Sequence, residues 1–124
     1  MEATLPPEAN IVKTIGDEVM VVSPEPGALT EWAVRLLAGF PERPRPRVAI
    51  HYGEAVYRDG DYFGTDVNLA HRVVTRALAG EVLVTEPVVE GIGDSEYLEF
   101  EPIGDVELKG FPSATPLYIT RSRR

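Results

Sequence analysis

The sequence contains no cysteine, only two histidines and no apolar run long enough to cross a bilayer. Without cysteine there are no disulfides, no thiolate catalysis and no cysteine-ligated zinc site. His51 and His71 do not have the spacing of metal ligands, so a histidine metal site is not expected. The N-terminus does not read as a signal peptide. A cytoplasmic location without membrane insertion by this chain is therefore the expectation.

Positive charge is also scarce. The chain has 12 Lys and Arg against 20 Asp and Glu, which leaves a net charge of −8 at pH 7. This balance disfavours nucleic acids and anionic membrane surfaces as main partners. A small phosphate ligand held by a few local cations remains compatible with it. The 124 residues suffice for one domain with one core, and their composition is that of a globular protein.

Apolar periodicity and turn residues divide the chain into hairpins and helices. The first half is predicted to contain an irregular segment over residues 1–10, a hairpin over Ile11–Ser23, a helix over Gly27–Gly39 and a charged connector over 41–47. A strand over Arg47–Glu54 follows, with a turn or bulge at Gly53-Glu54 leading into Ala55–Arg58, and then a tight loop in RDGDYFG at 58–64. The second half is predicted to contain a helix from Asp66 to near Gly80, a strand over Glu81–Thr85, a short helix over Glu86–Ile92, weaker strands over Tyr97–Ile103 and Val106–Leu108, a last strand over Leu117–Thr120 and a polar tail over 121–124. This order predicts an α+β fold whose sheet is covered by helices on one face, with a part that resembles a ferredoxin-like unit.

One stretch, DGDYFGTDVNLAHRVVTR at residues 59–76, predicts a strand end, a glycine turn and an amphipathic helix. Thr65 or Asp66 is expected to cap that helix. Asn68 and Arg72 are four residues apart and share a face outside the apolar stripe. An amide and a guanidinium near a helix start suit a ribose oxygen and a phosphate, although a solvated helix face carries the same residue types.

Three further polar residues stand out. Lys13 lies in an otherwise apolar strand, where burying an ammonium is costly. Asp17 lies at the predicted hairpin tip, and Asp61 lies near a strand end. Together with the amide and the guanidinium, they supply a carboxylate for a cation and a Lys/Asp pair for a base edge. That set of groups predicts a nucleotide site.

The chain resembles the catalytic domain of the class III nucleotide cyclases, the adenylate and guanylate cyclases. The matching segments are KTIGDEVMVV, RVAIHYGEAVYRDGDYFGTDVNLAHR, GEVLVTEPVV and VELKGFPSATPLY. They occur in the family's order and cover nearly the whole of residues 11–120. The resemblance implies a ferredoxin-like cyclase core with an antiparallel or mixed sheet. It also implies conversion of ATP to 3′,5′-cyclic AMP and pyrophosphate, for cyclic nucleotide signalling.

The same resemblance implies a role for each polar residue. Lys13 and Asp61 match the pair that reads the adenine edge, with Lys13 donating to N1 and Asp61 accepting from the amino group, which favours ATP over GTP. Asn68 matches the residue that orients the ribose, and Arg72 matches the arginine that stabilises charge on the phosphates in the transition state. Lys109 matches more loosely a lysine that contacts the polyphosphate.

Asp17 matches a carboxylate that binds the catalytic Mg²⁺ or Mn²⁺. In the family, the ribose 3′-hydroxyl attacks the α-phosphorus and pyrophosphate leaves, while two metal ions activate the hydroxyl and neutralise charge. The family's site forms between two cyclase domains. One domain supplies the metal carboxylates, and the other supplies the base, ribose and phosphate ligands. A homodimer, or a heterodimer with another cyclase domain, is therefore expected.

The chain departs from the family at its start. The family's first strand carries a second metal-binding Asp and lies centrally in the sheet, and residues 1–10 do not match it. Three alternatives follow: a domain that complements a complete cyclase, a catalytically impaired ATP-binding or regulatory dimerisation module, and a diguanylate cyclase-like domain. The last rests on IGDEVM, which is similar to that family's Gly-Gly-Asp-Glu-Phe hairpin. The segments after Arg47 do not fit it.

Overall fold

The computed structural model describes residues 5–6, 8–15, 18–39, 46–59 and 61–123, of which 10–15 and 18–19 are described as backbone. The elements are β1 (Asn10–Ile15), β2 (Glu18–Val22), α1 (Pro26–Ala38), β3 (Val48–Ile50), β4 (Val56–Arg58), β5 (Asp61–Phe63), α2 (Thr65–Val74), β6 (Val82–Thr85), α3 (Glu86–Ile92), β7 (Leu98–Val106) and β8 (Thr115–Ser122). Within these residues, no helix has the length and apolar character that a membrane span requires.

Four strands form a mixed sheet in the order β3-β6-β8-β7. β3 runs parallel to β6, whereas β8 runs antiparallel to both β6 and β7. The other strands form two separate antiparallel hairpins, β1 with β2 and β4 with β5. A mixed sheet with three helices is an α+β arrangement, as the sequence predicts.

Helices cover both faces of the four-stranded sheet. On one face, α1 and α3 pack over β3, β6 and β7 in a first core cluster that consists of Ala33, Val34, Leu37, Ile50, Val82, Val84, Val88 and Leu98. On the other face, α2 packs in a second core cluster that consists of Val73, Ala77, Leu83, Leu108 and Leu117. Val82 and Val84 belong to the first cluster and Leu83 to the second, because successive strand side chains point to opposite faces. The expectation of helices on one face was therefore wrong.

Most predicted elements are present. The first hairpin pairs Ile15 with Glu18 across Gly16-Asp17, which themselves lie outside the described residues. α1, β6 and α3 agree with the sequence to within one residue at either end. Residues 41–45 of the predicted connector, and residues 1–4 and 7 of the predicted irregular segment, lie outside the described residues.

The region after β3 differs from the prediction. β3 ends at Ile50, and the segment predicted as a tight loop contains β5, which pairs with β4 through Arg58 and Asp61. Asp59 has a φ of 52°, a left-handed conformation that Asp tolerates in hairpin turns. Asp59 thus lies between two paired strands, while Gly60 is outside the described residues, and the order gains a strand, β5, that was not predicted.

Three element ends were also wrong. α2 stops at Val74 rather than near Gly80, because Arg76 and Ala77 bond to carbonyls three residues back and the Thr75 hydroxyl donates to the Arg72 carbonyl at 2.6 Å. The two weak strands after Tyr97 form one strand, β7, whose register shifts between Pro102 and Gly104. The irregular sequence there is a bulge and not an end.

The predicted polar tail is partly sheet, since β8 continues through Ser122. Arg121 forms ion pairs with Glu99 at 3.8 Å and with Glu101 on the neighbouring strand. Arg123 donates from its backbone N–H to the Tyr97 carbonyl. Cross-strand charge pairs and backbone bonds therefore extend this strand beyond its apolar residues.

Candidate functional site

α2 begins directly after β5, and a glycine makes the connection possible. Gly64 is the residue before the helix and has a φ of 137°, a conformation that favours glycine. Neither Thr65 nor Asp66 caps the helix with its side chain, contrary to the prediction. Asp66 is instead engaged with the chain that follows β3: its Oδ2 accepts the Glu54 N–H at 3.0 Å.

The two faces of α2 have opposite environments. Val73 is fully buried in the second core cluster, and Leu69 packs against the same cluster. Asn68 is exposed and Arg72 is half-buried. The salt bridges of the described residues do not include Arg72. The inner face therefore anchors the helix, and the predicted ribose and phosphate ligands lie outside the apolar interior, one turn apart.

Asp61 is the first residue of β5 and is half-buried. Its Oδ1 accepts the N–H of Tyr62 at 2.8 Å. β5 contacts both α2 and β1. The backbone of Lys13 lies in β1, paired with Met20, so the strands that carry the two predicted base ligands are neighbours. The side chain of Lys13 lies outside the described residues.

Lys109 is exposed in a turn after β7, in which the Phe111 N–H donates to the Leu108 carbonyl at 3.1 Å. Leu108 is a member of the second core cluster and Phe111 packs against it. The residues that flank Lys109 therefore pack in the same apolar cluster as Val73 of α2, which ties the lysine's turn to the helix of Asn68 and Arg72.

The predicted metal ligand, Asp17, lies outside the described residues. Among the residues that are described, no group of three His, Cys, Asp or Glu side chains is arranged to hold a metal ion. Mg²⁺ usually takes one or two carboxylates together with substrate phosphates and water, so a single carboxylate suits part of such a site. The described residues alone do not supply a metal centre.

A polar cluster that the sequence analysis missed lies beside the start of α2. His51 Nε2 lies 2.7 Å from Asp66 Oδ1, and His51 Nδ1 lies 2.6 Å from Thr85 Oγ1. The hydrogen bond from His51 lowers the pKa of Asp66, and the bond from the Glu54 N–H lowers it further, against the smaller raising effect of burial. These residues are far apart in sequence, so no local pattern reveals their contact.

An open pocket of about 350 Å³ lies between the β4–β5 hairpin and the loop before it. It is lined by Glu54, Ala55, Val56, Phe63 and Gly64. Two large apolar side chains of the lining, Val56 and Phe63, are exposed, and Tyr52 and Tyr57 are exposed elsewhere in the same stretch of the chain. A small domain rarely exposes such a group of large apolar side chains unless it binds something there.

Known proteins resemble this chain in sequence. The model of the adenylate and guanylate cyclase catalytic domain matches residues 45–121. The pH-sensitive adenylate cyclase of Mycobacterium tuberculosis is 41% identical over an alignment of 126 residues, which covers 97% of this chain and 32% of that protein. The adenylate cyclase of Streptomyces griseus is 42% identical over 82 residues, 64% of this chain and 21% of that protein. The chain thus spans about a third or less of these relatives' length.

Solved structures resemble it in fold. The adenylate/guanylate cyclase/hydrolase from Silicibacter pomeroyi has a TM-score of 0.79 at 23% identity, covering 94% of this chain and 74% of that one. An adenylate cyclase from Trypanosoma brucei in its monomeric state has a TM-score of 0.78 at 22% identity, covering 93% of this chain and 76% of that one. The α+β fold is therefore that of a cyclase catalytic core, and the chain belongs to the adenylate and guanylate cyclase catalytic domain family.

Proposed function

We propose that this chain is an adenylate cyclase-type domain that takes part in the conversion of ATP to 3′,5′-cyclic AMP and pyrophosphate. The observation that carries the proposal is α2, whose inner face is anchored in the core while Asn68 and Arg72 lie outside it. The similarity to curated adenylate cyclases at about 40% identity supports the choice of reaction.

Nucleotide selection is assigned to Lys13 and Asp61. An ammonium donates to N1 of adenine, and a carboxylate accepts from the adenine amino group. The edge of guanine presents a donor and an acceptor in the reverse positions, so it leaves both side chains mismatched. The contact between β1 and β5, which carry these residues, supports their acting on one base.

The sugar and phosphates are assigned to residues of α2 and the turn after β7. The Asn68 amide orients the ribose so that its 3′-hydroxyl is in line with the α-phosphorus. The Arg72 guanidinium stabilises the negative charge that develops on the phosphate oxygens as the bond to pyrophosphate breaks. Lys109 binds the leaving polyphosphate, and the packing of its turn beside α2 supports that assignment.

A divalent cation, Mg²⁺ or Mn²⁺, is assigned to Asp17. When bound, such an ion neutralises phosphate charge and lowers the pKa of an attacking hydroxyl. For the site to which this chain contributes base, ribose and phosphate ligands, both metal carboxylates are assigned to a partner cyclase domain, in line with the family's division of the site. The chain then acts as a homodimer or a heterodimer, and it contributes base, ribose and phosphate ligands across the interface.

The exposed apolar hairpin supports the assembly with a second domain. Val56 and Phe63 pair across the two strands on one face of the hairpin, and both are more than half exposed. Tyr57 and Tyr62 pair on the opposite face, with their rings 4.9 Å apart. Aromatic residues on a hairpin next to an open pocket suit burial by another chain.

A cyclic nucleotide assay with MgCl₂ or MnCl₂, on the purified chain alone and on the chain mixed with a cyclase domain that carries both metal carboxylates, tests the function. The chain should convert ATP, and not GTP, to the cyclic monophosphate. Arg72→Ala should lower the rate by about 100-fold or more, because one transition-state donor is lost. Arg76→Ala is the matched control, an exposed arginine just beyond the same helix, and it should leave the rate unchanged. Equal rates for the two variants would contradict the role of Arg72.

The second candidate is a catalytically impaired ATP-binding module that modulates a complete cyclase. It is favoured by the single metal carboxylate that the sequence offers and by the lack of a three-ligand cluster among the described residues. Such a module would bind ATP, as followed by calorimetry, but would release no cyclic AMP with either metal. ATP binding by such a module would depend on Lys13 and Asp61, even though no ATP is converted.

A further inference from the structure

The imidazole of His51 links the buried sheet to the first turn of α2. The His51 side chain is only 6% exposed, and it follows β3 directly. Its Nδ1 lies 2.6 Å from the hydroxyl of Thr85, the fully buried last residue of β6. Its Nε2 lies 2.7 Å from Asp66, the second residue of α2. We call these three residues, His51, Thr85 and Asp66, the His51 clamp.

The loop after His51 provides a second hydrogen bond to the Asp66 carboxylate. One oxygen accepts from His51 and the other accepts the Glu54 N–H at 3.0 Å. At Gly53, an added Cβ would lie 2.5 Å from both Cγ and Oδ2 of Asp66, closer than side chains approach one another. Glycine at this position therefore leaves the space that the carboxylate occupies.

The His51 clamp holds the end of α2 that the core does not. Val73, near the other end of the helix, is fixed by its complete burial. The first turn has no side-chain cap, and Asp66 supplies its polar tie to the sheet. Asn68 lies two residues after Asp66, so a displacement of the first turn moves Asn68 directly.

We propose that His51 is a positioning residue for the cyclase reaction, acting through Asp66 to set the direction of the Asn68 amide. This inference rests on the proposed function, in which Asn68 orients the ribose. A neutral imidazole fits both contacts, since Nε2–H donates to the Asp66 carboxylate and Nδ1 accepts the Thr85 hydroxyl hydrogen. Glutamine carries one donor and one acceptor that can fill these roles, whereas phenylalanine fills the space and carries neither.

Steady-state kinetics on His51→Phe and His51→Gln tests the inference. His51→Phe should lower kcat about 10- to 100-fold, because displacement of a positioning group by a fraction of an ångström misaligns the reacting atoms. KM for ATP should change by less than about threefold, since the base ligands Lys13 and Asp61 are on other elements. His51→Gln should recover most of kcat. Wild-type kcat in His51→Phe, or equal losses in both variants, would overturn the proposal.

Two controls separate positioning from loss of stability. Val88→Ala opens a cavity in the first core cluster, on the other face of the sheet, and should lower the melting temperature without lowering kcat. Gly53→Ala places a methyl group against the Asp66 carboxylate without emptying the core, so it serves if His51→Phe does not fold. It should reproduce the fall in kcat, and an unchanged kcat in Gly53→Ala would count against the clamp.

A double-variant comparison asks whether His51 acts through Asn68. In an Asn68→Ala background, His51→Phe should change kcat by less than about twofold, because the group that it positions is already absent. A full loss in that background would mean that His51 acts by another route and would overturn the assignment.

Hydrogen exchange gives a reading that does not need turnover. The backbone amides of residues 65–70 should exchange faster in His51→Phe and at the wild-type rate in Val88→Ala. Unchanged exchange in His51→Phe would refute the clamp even if the chain is an active cyclase. A wild-type chain that makes no cyclic nucleotide, either alone or mixed with a cyclase domain that carries both metal carboxylates, would refute the proposed function. The exchange comparison would still decide whether the clamp holds α2.

Discussion

The strands β6 and β4 have similar residue types but opposite solvent exposure. In β6, Val82 and Val84 are 2% and 0% exposed, whereas in β4, Val56 and Tyr57 are 56% and 63% exposed. Both strands consist largely of β-branched or aromatic residues, so strand propensity does not separate them. β6 lies between β3 and β8 with a helix over each face, and β4 pairs with β5 alone.

This difference shows that the chain has one part, the four-stranded sheet, whose apolar side chains are buried by the chain's own helices, and another part, the β4–β5 hairpin, whose apolar side chains are exposed to solvent. The four-stranded sheet buries its apolar side chains within the chain itself. A two-stranded hairpin gains little stability by itself, and here it leaves Val56, Tyr57 and Phe63 in water. α2 joins the two parts, since it begins at the hairpin and ends in the core. The ligands that we assign to α2 thus lie between a rigid sheet and an expected interface.

The largest expected effect comes from truncating the same residue type in the two strands. Val84→Ala should lower the free energy of unfolding by about 2 kcal/mol or more, through lost burial and a residual cavity. Val56→Ala should change it by less than about 0.5 kcal/mol, because the side chain is already exposed. Urea unfolding followed by circular dichroism measures both. Similar losses would mean that the hairpin is packed in solution and would remove the contrast.

The next effect concerns assembly. Phe63→Ser should leave the unfolding free energy nearly unchanged and weaken self-association, or association with another cyclase domain, by about 30-fold, as expected for a central aromatic contact. Leu78→Ser is the matched control, because Leu78 is 65% exposed and belongs to the connection between α2 and β6, not to the hairpin. Sedimentation velocity over a concentration series separates the two variants. Equal association of both would show that the hairpin surface is not the interface.

The smallest effect is a pH-dependent one at the link between the two parts. The hydrogen bond from His51 lowers the pKa of Asp66 in the folded chain. Its stabilising contribution is therefore present above the ordinary carboxyl pKa of about 3.9 and is lost as pH falls through the lower folded value. Asp66→Asn should lower the melting temperature by about 1–2 °C at neutral pH, a small change because the carboxylate is partly screened by water.

A melting series from neutral to acidic pH checks the sign of this prediction. The gap between wild type and Asp66→Asn should narrow as pH falls from the ordinary carboxyl pKa of about 3.9 through the lower folded value, because the Asp66 carboxylate is then protonated and uncharged. Asp94→Asn, at an exposed loop position, should show no gap at any pH. A gap that grows on acidification would contradict the lowered pKa of Asp66.

The sequence correctly predicted those helices and strands that are determined by residues within the element itself. The stripe of α1, the continuous apolar run of β6 and the Pro-containing first turn of α3 each determine their own element. The Asp-Gly pair at 59–60 is also a local hairpin signal, but the segment around it was predicted as a tight loop and not as the start of a strand. The bulge in β7 was likewise read as a break.

Contacts between distant residues were not predictable in this way. The periodicity of a helix says that one face is buried, but it does not say which face of the sheet receives it. Asp66 has the sequence signature of a helix cap, yet its carboxylate accepts hydrogen bonds from His51 and from the Glu54 N–H and does not cap the helix. The roles of Lys13, Asp17, Asp61, Asn68, Arg72 and Lys109 come from family resemblance and remain predictions.

One measurement tests the central claim, that this chain supplies base, ribose and phosphate ligands to a site shared with a second cyclase domain. The chain is mixed with a cyclase domain that keeps its metal carboxylates but carries Ala in place of its own ribose-orienting Asn and phosphate-binding Arg. Cyclic AMP should form from ATP in the mixture, and should not form when this chain carries Arg72→Ala. No gain on mixing, or an equal gain with Arg72→Ala, would contradict the claim.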